Sequence, residues 1–380
     1  MIRPPTRIDL AADASQLVHR LCDLAVRGLP QMYRATDDQF VFTRAEGLNG
    51  KIELRGKSNR YAAIVALGAY WCTEEQQREI LGGHSVDEFI TVLVKRLPTI
   101  GNLGDVALIC WAAAQSAHPA LQEALARLRD LDSDPKKAQY VVEAAWVVSA
   151  LATARKQADV EAPLALARER LLGSLRGDSP LFPHATAPGL VPWYRSHVSC
   201  FADQVYPIQA LARLHASGDD ATAFRASGRC ADRICELQGD GGQWWWHYDA
   251  NAGTVIEGYP VYMVHQHAMA PMALLDLTDA GGPQYREHIE RGLRWITNPA
   301  EFNGAGEPLV LDDEGVTWRK IYRGDPRKVV RAVQGATTRA VRGMHVPGLD
   351  RMYPPSKVDR ECRPYEFGWL LFTWLNNDAR

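Results

Sequence analysis

Four stretches of this sequence are nearly apolar on every side at helical length: Tyr61 to Tyr70, Val106 to Ala114, Val141 to Leu151, and Met269 to Leu275. A helix without a polar face has to be buried all round. Between them lie segments with one charged face, among them Leu121 to Arg129, Pro163 to Leu175 and Tyr285 to Trp295, as surface helices have. Read for period, the chain offers twelve helices, near 13–28, 59–72, 85–97, 103–117, 119–130, 138–154, 161–175, 199–216, 220–237, 262–277, 283–297 and 364–376. Outer and inner kinds alternate along the chain. That order describes two concentric rings, an all-α (α/α)6 toroid of six helical hairpins, and predicts a single domain over residues 1–380.

Each inner segment begins with polar or ionisable residues before it turns apolar: Ser58-Asn59-Arg60, Asn102 to Asp105, Gln139-Tyr140 with Glu143, Asp203-Gln204, Tyr262 with His265-Gln266-His267, and Tyr365-Glu366. Parallel inner helices would aim these starts at one end of the ring. Helix N-termini also carry free N–H groups and partial positive charge, which favour anionic or hydroxyl-rich ligands. Capping accounts for the Asp and Asn residues taken singly. It does not account for Arg60, Tyr262, His265 and Glu366.

Two inserts interrupt the helical pattern. Residues 239–261 read as an aromatic strand, a turn at Asn251-Ala252-Gly253 and a return, and residues 299–363 as a short hairpin followed by a basic loop. Inserts that a scaffold does not need commonly form binding loops, so both are expected at the pocket rim. In a strand, Trp244, Trp246 and Tyr248 would share one face, and Trp245 and His247 the other. Arg319 to Arg342 holds two Lys and six Arg against one acid, Asp325, which is a solvated face or a seat for a phosphate or carboxylate group.

The balance of 43 basic and 45 acidic side chains gives no overall reason to expect nucleic acid as a partner. No run of about 18 apolar residues predicts a membrane span. The polar N-terminus and seven cysteines without a C-x-x-C pair predict a cytoplasmic protein without disulfides. The phosphate loop, the G-x-S-x-G elbow and the H-E-x-x-H motif are all missing from the sequence. His265 and His267 would point about 200° apart on a helix and do not easily share a metal; a site would need Asp203, Cys200 or His197 to arrive from the neighbouring inner helix, and neither metal nor cofactor is expected. Acid/base work on a sugar needs one protonated and one ionised carboxyl. The candidate catalytic groups are Asp105, Glu143, Asp203, His265 and Glu366, and the candidate substrate-binding groups are Arg60, Trp244, Trp246, His247, Tyr259, Tyr262 and Tyr365.

The alternating order, the polar inner starts and the stretch Gln238 to Trp244, with Asp240-Gly241-Gly242-Gln243 inside it, resemble the α/α toroid superfamilies. One branch holds six-hairpin glycosidases with related epimerases and lyases. The other holds terpenoid cyclases and prenyltransferases, whose glutamine-tryptophan repeat the stretch is similar to. The resemblance implies a carbohydrate-active enzyme, a glycoside hydrolase, lyase or sugar epimerase, acting on a small-molecule or oligosaccharide substrate. A terpenoid cyclase-like enzyme with an aromatic cavity is the alternative, and a non-catalytic ligand-binding toroid the third reading. A pocket lined by several carboxylates among rings would favour sugar, and a nearly dry aromatic cavity terpene.

Overall fold

The computed structural model describes residues 7–47, 50–304 and 306–376. Fifteen α-helices lie among them: α1 (Ala12–Gly28), α2 (Asn59–Ala69), α3 (Glu74–Ile80), α4 (Val86–Arg96), α5 (Leu103–Gln115), α6 (Leu121–Leu131), α7 (Val141–Ala154), α8 (Glu161–Leu172), α9 (Ala202–Gly218), α10 (Ala221–Glu236), α11 (Ala270–Asp279), α12 (Arg286–Thr297), α13 (Val329–Ala340), α14 (Leu349–Met352) and α15 (Pro364–Leu375). All twelve segments read from the sequence are there. The inner helices α2, α5, α7, α9, α11 and α15 pack in that order, and α15 returns against α2 to close the ring. Helices α4, α6, α8, α10 and α12 lie outside it, and α1 covers the seam against α15 and α12. The fold is an α/α toroid.

Burial follows the kind of helix. From Val106 to Ala114 every residue of α5 is buried, whereas amphipathic α6 buries only Leu121, Ala124, Leu125 and Leu128. Ring closure depends on two glycines. A Cβ at Gly68 would stand 2.2 Å from the Gly368 carbonyl oxygen, and one at Gly368 would meet the Ile64 carbonyl at 2.8 Å, so only glycine lets α2 and α15 touch backbone to backbone. At the far ends of the helices, Gln115 donates to the Leu67 carbonyl at 3.2 Å and Gln157 to the Ala114 carbonyl at 2.7 Å. Each ties a carbonyl in the last turn of the neighbouring inner helix; the Ala114 carbonyl also accepts from the Ala117 amide at 3.3 Å.

The structure departs from the sequence reading in several places. Helix α3 was not anticipated, and the basic stretch taken as a loop contains α13. Residues 199 and 200 belong to a strand, Val198–Cys200, rather than to the first turn of α9. Trp244 to Trp246 precede the strand His247–Asp249 instead of forming it, so the predicted two-faced alternation across the tryptophans does not hold. A sheet of Thr43–Glu46, Ile52–Arg55 and Glu361–Cys362 was also missed. Its strands are only two to four residues long, too short for a period of two to stand out.

Candidate functional site

Short strands deliver the inner helices to one end of the ring. Val198–Cys200 pairs with His247–Asp249 and leads into α9, Val261–Tyr262 pairs with Lys320–Tyr322 and leads into α11, and Glu361–Cys362 pairs with Thr43–Glu46 and leads into α15. Both inserts therefore lie where the inner helices start. The predicted site residues other than Trp244 and Tyr259 lie at these starts in four groups.

Arg60, in the first turn of α2, reaches across two neighbours. It donates through Nε to Asp105 Oδ1 at 2.9 Å and through Nη2 to Asn102 Oδ1 at 2.8 Å, and Glu143 Oε1 lies 3.4 Å from Nη2. Asn102 donates to the same Glu143 oxygen at 2.9 Å while its own oxygen caps the Asp105 amide. The guanidinium sits 5.0 Å over the Trp146 ring. One cation thus holds two carboxylates from adjacent helices, each only partly covered. A cleft of about 360 Å³ lined by Asp37, Gln39, Lys57, Asn59, Arg96 and Thr99 opens alongside, with Asn59 next in sequence to Arg60.

Glu366, in the first turn of α15, is in the opposite condition. It is fully buried, and neither carboxyl oxygen has a hydrogen-bond partner. Arg319 Nε approaches one of them at 3.5 Å, and the Arg319 guanidinium lies 4.9 Å over the Tyr262 ring. Burial pushes the Glu366 carboxyl up to about 7 against the pull of Arg319 and Arg363. Tyr365 stacks obliquely on Tyr61, ring centres 4.7 Å apart, and Arg363 donates to the Tyr61 hydroxyl at 3.2 Å.

A third group is aromatic. Trp246 stacks on His265, 5.7 Å between centres and 10° between planes, and Tyr262 closes on both at 4.7 and 5.0 Å. His265 opens a π-helical turn, His265–Met269, at the head of α11. The wider turn frees the His267 carbonyl, which accepts from Trp374 at 2.6 Å. Such turns cluster at functional sites. Burial holds His265 down to about 3, so its imidazole is neutral near pH 7 and is not poised as an imidazolium acid.

A fourth group joins α9 to the preceding loop. Asp203 Oδ2 accepts from His184 Nδ1 at 2.9 Å and from the Cys200 amide at 2.7 Å. Gln204 bonds Phe182 on both its amide and its carbonyl, at 2.8 and 3.0 Å, and the Val141 amide donates to the His184 carbonyl. His184 is thereby fixed from two sides. The Asp203 charge raises its imidazole above the usual range. His247, opposite Cys200 across the strand pair, is buried, and that burial lowers its imidazole.

Two predicted binding residues stand elsewhere. Trp244 is fully buried against Phe201, with its Nε1 2.8 Å from where a Cβ at Gly292 would stand, so it fills core space between α9 and α12 and offers no platform. Gln238, at the other end of the glutamine-tryptophan stretch, donates to the His288 carbonyl at 3.0 Å, which makes that stretch a tie to α12. Tyr259 donates to Glu301 at 2.8 Å and packs on Trp245, apart from the Trp246 group. Sequence reasoning overlooked Tyr61, Trp146, His184, Arg363 and Arg319. Of these only Arg319 carried a signal, the surplus of cations in its stretch.

The fold defines a class before any relative does: a six-hairpin α/α toroid with its ionisable groups at the inner-helix starts. No protein-family model matches the chain, and no curated protein matches it in sequence. Solved structures of the same architecture do. An unsaturated glucuronyl hydrolase from Streptococcus agalactiae aligns over 99% of this chain and 97% of its own, with 9% identity and a TM-score of 0.59. One from Bacillus sp. GL1, described as responsible for the degradation of glycosaminoglycan, aligns over 96% and 97% with 12% identity and a TM-score of 0.57. A possible GH105 family member from Salmonella enterica aligns over 99% and 98% with 11% identity and a TM-score of 0.54. At such identities the likeness is one of fold.

Proposed function

We propose that this chain is a carbohydrate-active enzyme, a glycoside hydrolase acting on an oligosaccharide that carries an acidic sugar. The observation that carries the reading is Glu366: a buried carboxyl raised to about 7 keeps its proton near neutral pH and can give it to a glycosidic oxygen. Asp105 and Glu143, each beside the Arg60 cation, supply the ionised partner that takes a proton from attacking water. Trp246, Tyr262 and Tyr365 offer ring faces to the sugar, and Arg319 and Arg363 offer cations to its carboxylate. Carboxylates set among rings at the inner starts fit sugar better than the dry aromatic cavity a terpenoid would need. The named neighbours, unsaturated glucuronyl hydrolases, support the choice of an acidic sugar.

The reading is tested by incubating the pure protein with oligosaccharides ending in glucuronate or unsaturated glucuronate and with neutral counterparts. New reducing ends should appear from an acidic substrate, and Glu366→Gln should lower kcat by roughly 100-fold or more. Folded wild-type protein that cleaves none of them would sink it. No helix among the described residues is long and apolar enough to cross a membrane. The seven cysteines are all unpaired, which supports our placing the protein in the reducing cytoplasm.

A further inference from the structure

The His184, Cys200 and Asp203 group is a different kind of site from the acid/base pair. One ligand-type atom from each, an imidazole nitrogen, a thiol sulfur and a carboxylate oxygen, lie within 4.8 Å of one another. Asp203 is fully buried, and while its Oδ2 serves two donors, its Oδ1 is buried with no hydrogen-bond partner at all. Leaving such an oxygen unpaired in the interior is costly, and more so for a charged group. A cation in that position would satisfy it.

We propose that His184, Cys200 and Asp203 form a binding site for a single transition-metal ion of the zinc type. Nitrogen, sulfur and oxygen donors together suit zinc, and a thiolate selects against magnesium and calcium. Charge also balances: a thiolate and a carboxylate carry two negative charges, the imidazole none, and a divalent ion neutralises the buried group. Binding sends the Cys200 thiol proton, and any second proton on His184, into solvent while the ion takes the sulfur and nitrogen lone pairs. The ligands are held before the ion arrives. Cys200 ends a strand, Asp203 lies three residues later in the first turn of α9, and Gln204 and the Val141 amide fix the loop carrying His184.

Three protein ligands leave a fourth tetrahedral position, as in sites that bind water or substrate. The His184 side chain is 38% exposed, so that position is within reach of solvent. The other six cysteines are buried, and none of them joins a group of three ligand-type residues among the described residues. A metal–thiolate signal therefore reports on Cys200. The proposal does not depend on the glycosidase reading.

The test uses the full chain stripped with chelator and titrated with Co²⁺ alone, then with Zn²⁺ in competition. A stoichiometric thiolate-to-cobalt charge-transfer band with tetrahedral visible bands, displaced by Zn²⁺, is expected. Cys200→Ser should abolish the charge-transfer band, and Asp203→Asn should weaken cobalt affinity by at least tenfold, with circular dichroism showing both variants folded. The wild-type protein decides the matter without any variant: no cobalt bound, or cobalt bound without a thiolate band, overturns the site. A band that survives in Cys200→Ser overturns it as well.

Discussion

Glu366 shows what one buried carboxyl does to a protein. In the unfolded chain it ionises near 4.5 and in the folded chain near 7, so between those values the folded state keeps a proton the unfolded state has lost. Stability from this group is complete below 4.5, falls as pH rises through the window and stays low above it. Glu366→Gln should thus be more stable than wild type at about pH 8, by on the order of 3 kcal/mol, and no more stable at about pH 4. Chemical denaturation at both pH values checks it; an equal difference at both would sink the account of Glu366. At the far end of the ring, Asp276 behaves oppositely. It accepts from Arg7 at 2.6 Å, from Arg213 at 2.7 Å and from Gln209 at 3.0 Å in a nearly dry setting. Asp276→Ala leaves partly buried Arg213 without its carboxylate and removes one of the two that hold Arg7, Asp279 being the other, and should cost about 3 kcal/mol, read from the denaturation midpoint. The acids at the inner starts were visible in the sequence. Their environments were not, because Arg319 reaches Glu366 across 47 residues of chain, and no local pattern reports that distance.

Among the elements, the helices were the most legible. Ser85 and Glu88 form the capping box that their spacing implies and Gly173 caps the end of α8, whereas α9 runs through Gly218 and stops at Asp219, which takes the left-handed conformation. What the sequence left hidden is contact between elements. An exposed helical glycine changed to alanine normally gains about 1 kcal/mol. Gly68→Ala should instead lose several kcal/mol, since the new methyl meets a backbone carbonyl of α15 that cannot swing aside. Thermal melting of Gly68→Ala beside an uncrowded, half-buried control, Gly228→Ala, where a Cβ would meet nothing within 4 Å, separates propensity from collision. A variant as stable as the control would show that α2 and α15 are not in backbone contact. The π-turn at His265 is another hidden feature: the candidate helix 262–277 reads as regular, and carbonyls of the irregular turn are taken up by α15, His267 by Trp374 and Ala268 by Thr373.

At the scale of the molecule, the single domain is our proposal, grounded in ring closure. The first and last inner helices share an interface, so no point along the chain divides it into halves with separate cores. Far-UV and near-UV circular dichroism should follow one coincident unfolding transition; two separated transitions would disprove it. The alternation of all-apolar and one-faced helices settles that the chain builds two nested rings, because a helix without a polar face has nowhere to go but inside. It also settles that polar groups sit at the inner starts. Tertiary structure alone decided which of those groups meet. Ring geometry brings Arg60 to Asp105 and Glu143, buries Glu366 without a partner, sends Trp244 into the core, and adds His184 from a loop that no pattern marked. Periodicity is a property of neighbours in sequence, whereas proton affinity and ligand geometry depend on neighbours in space, and closing a ring of six helices is what brings distant parts of the chain together.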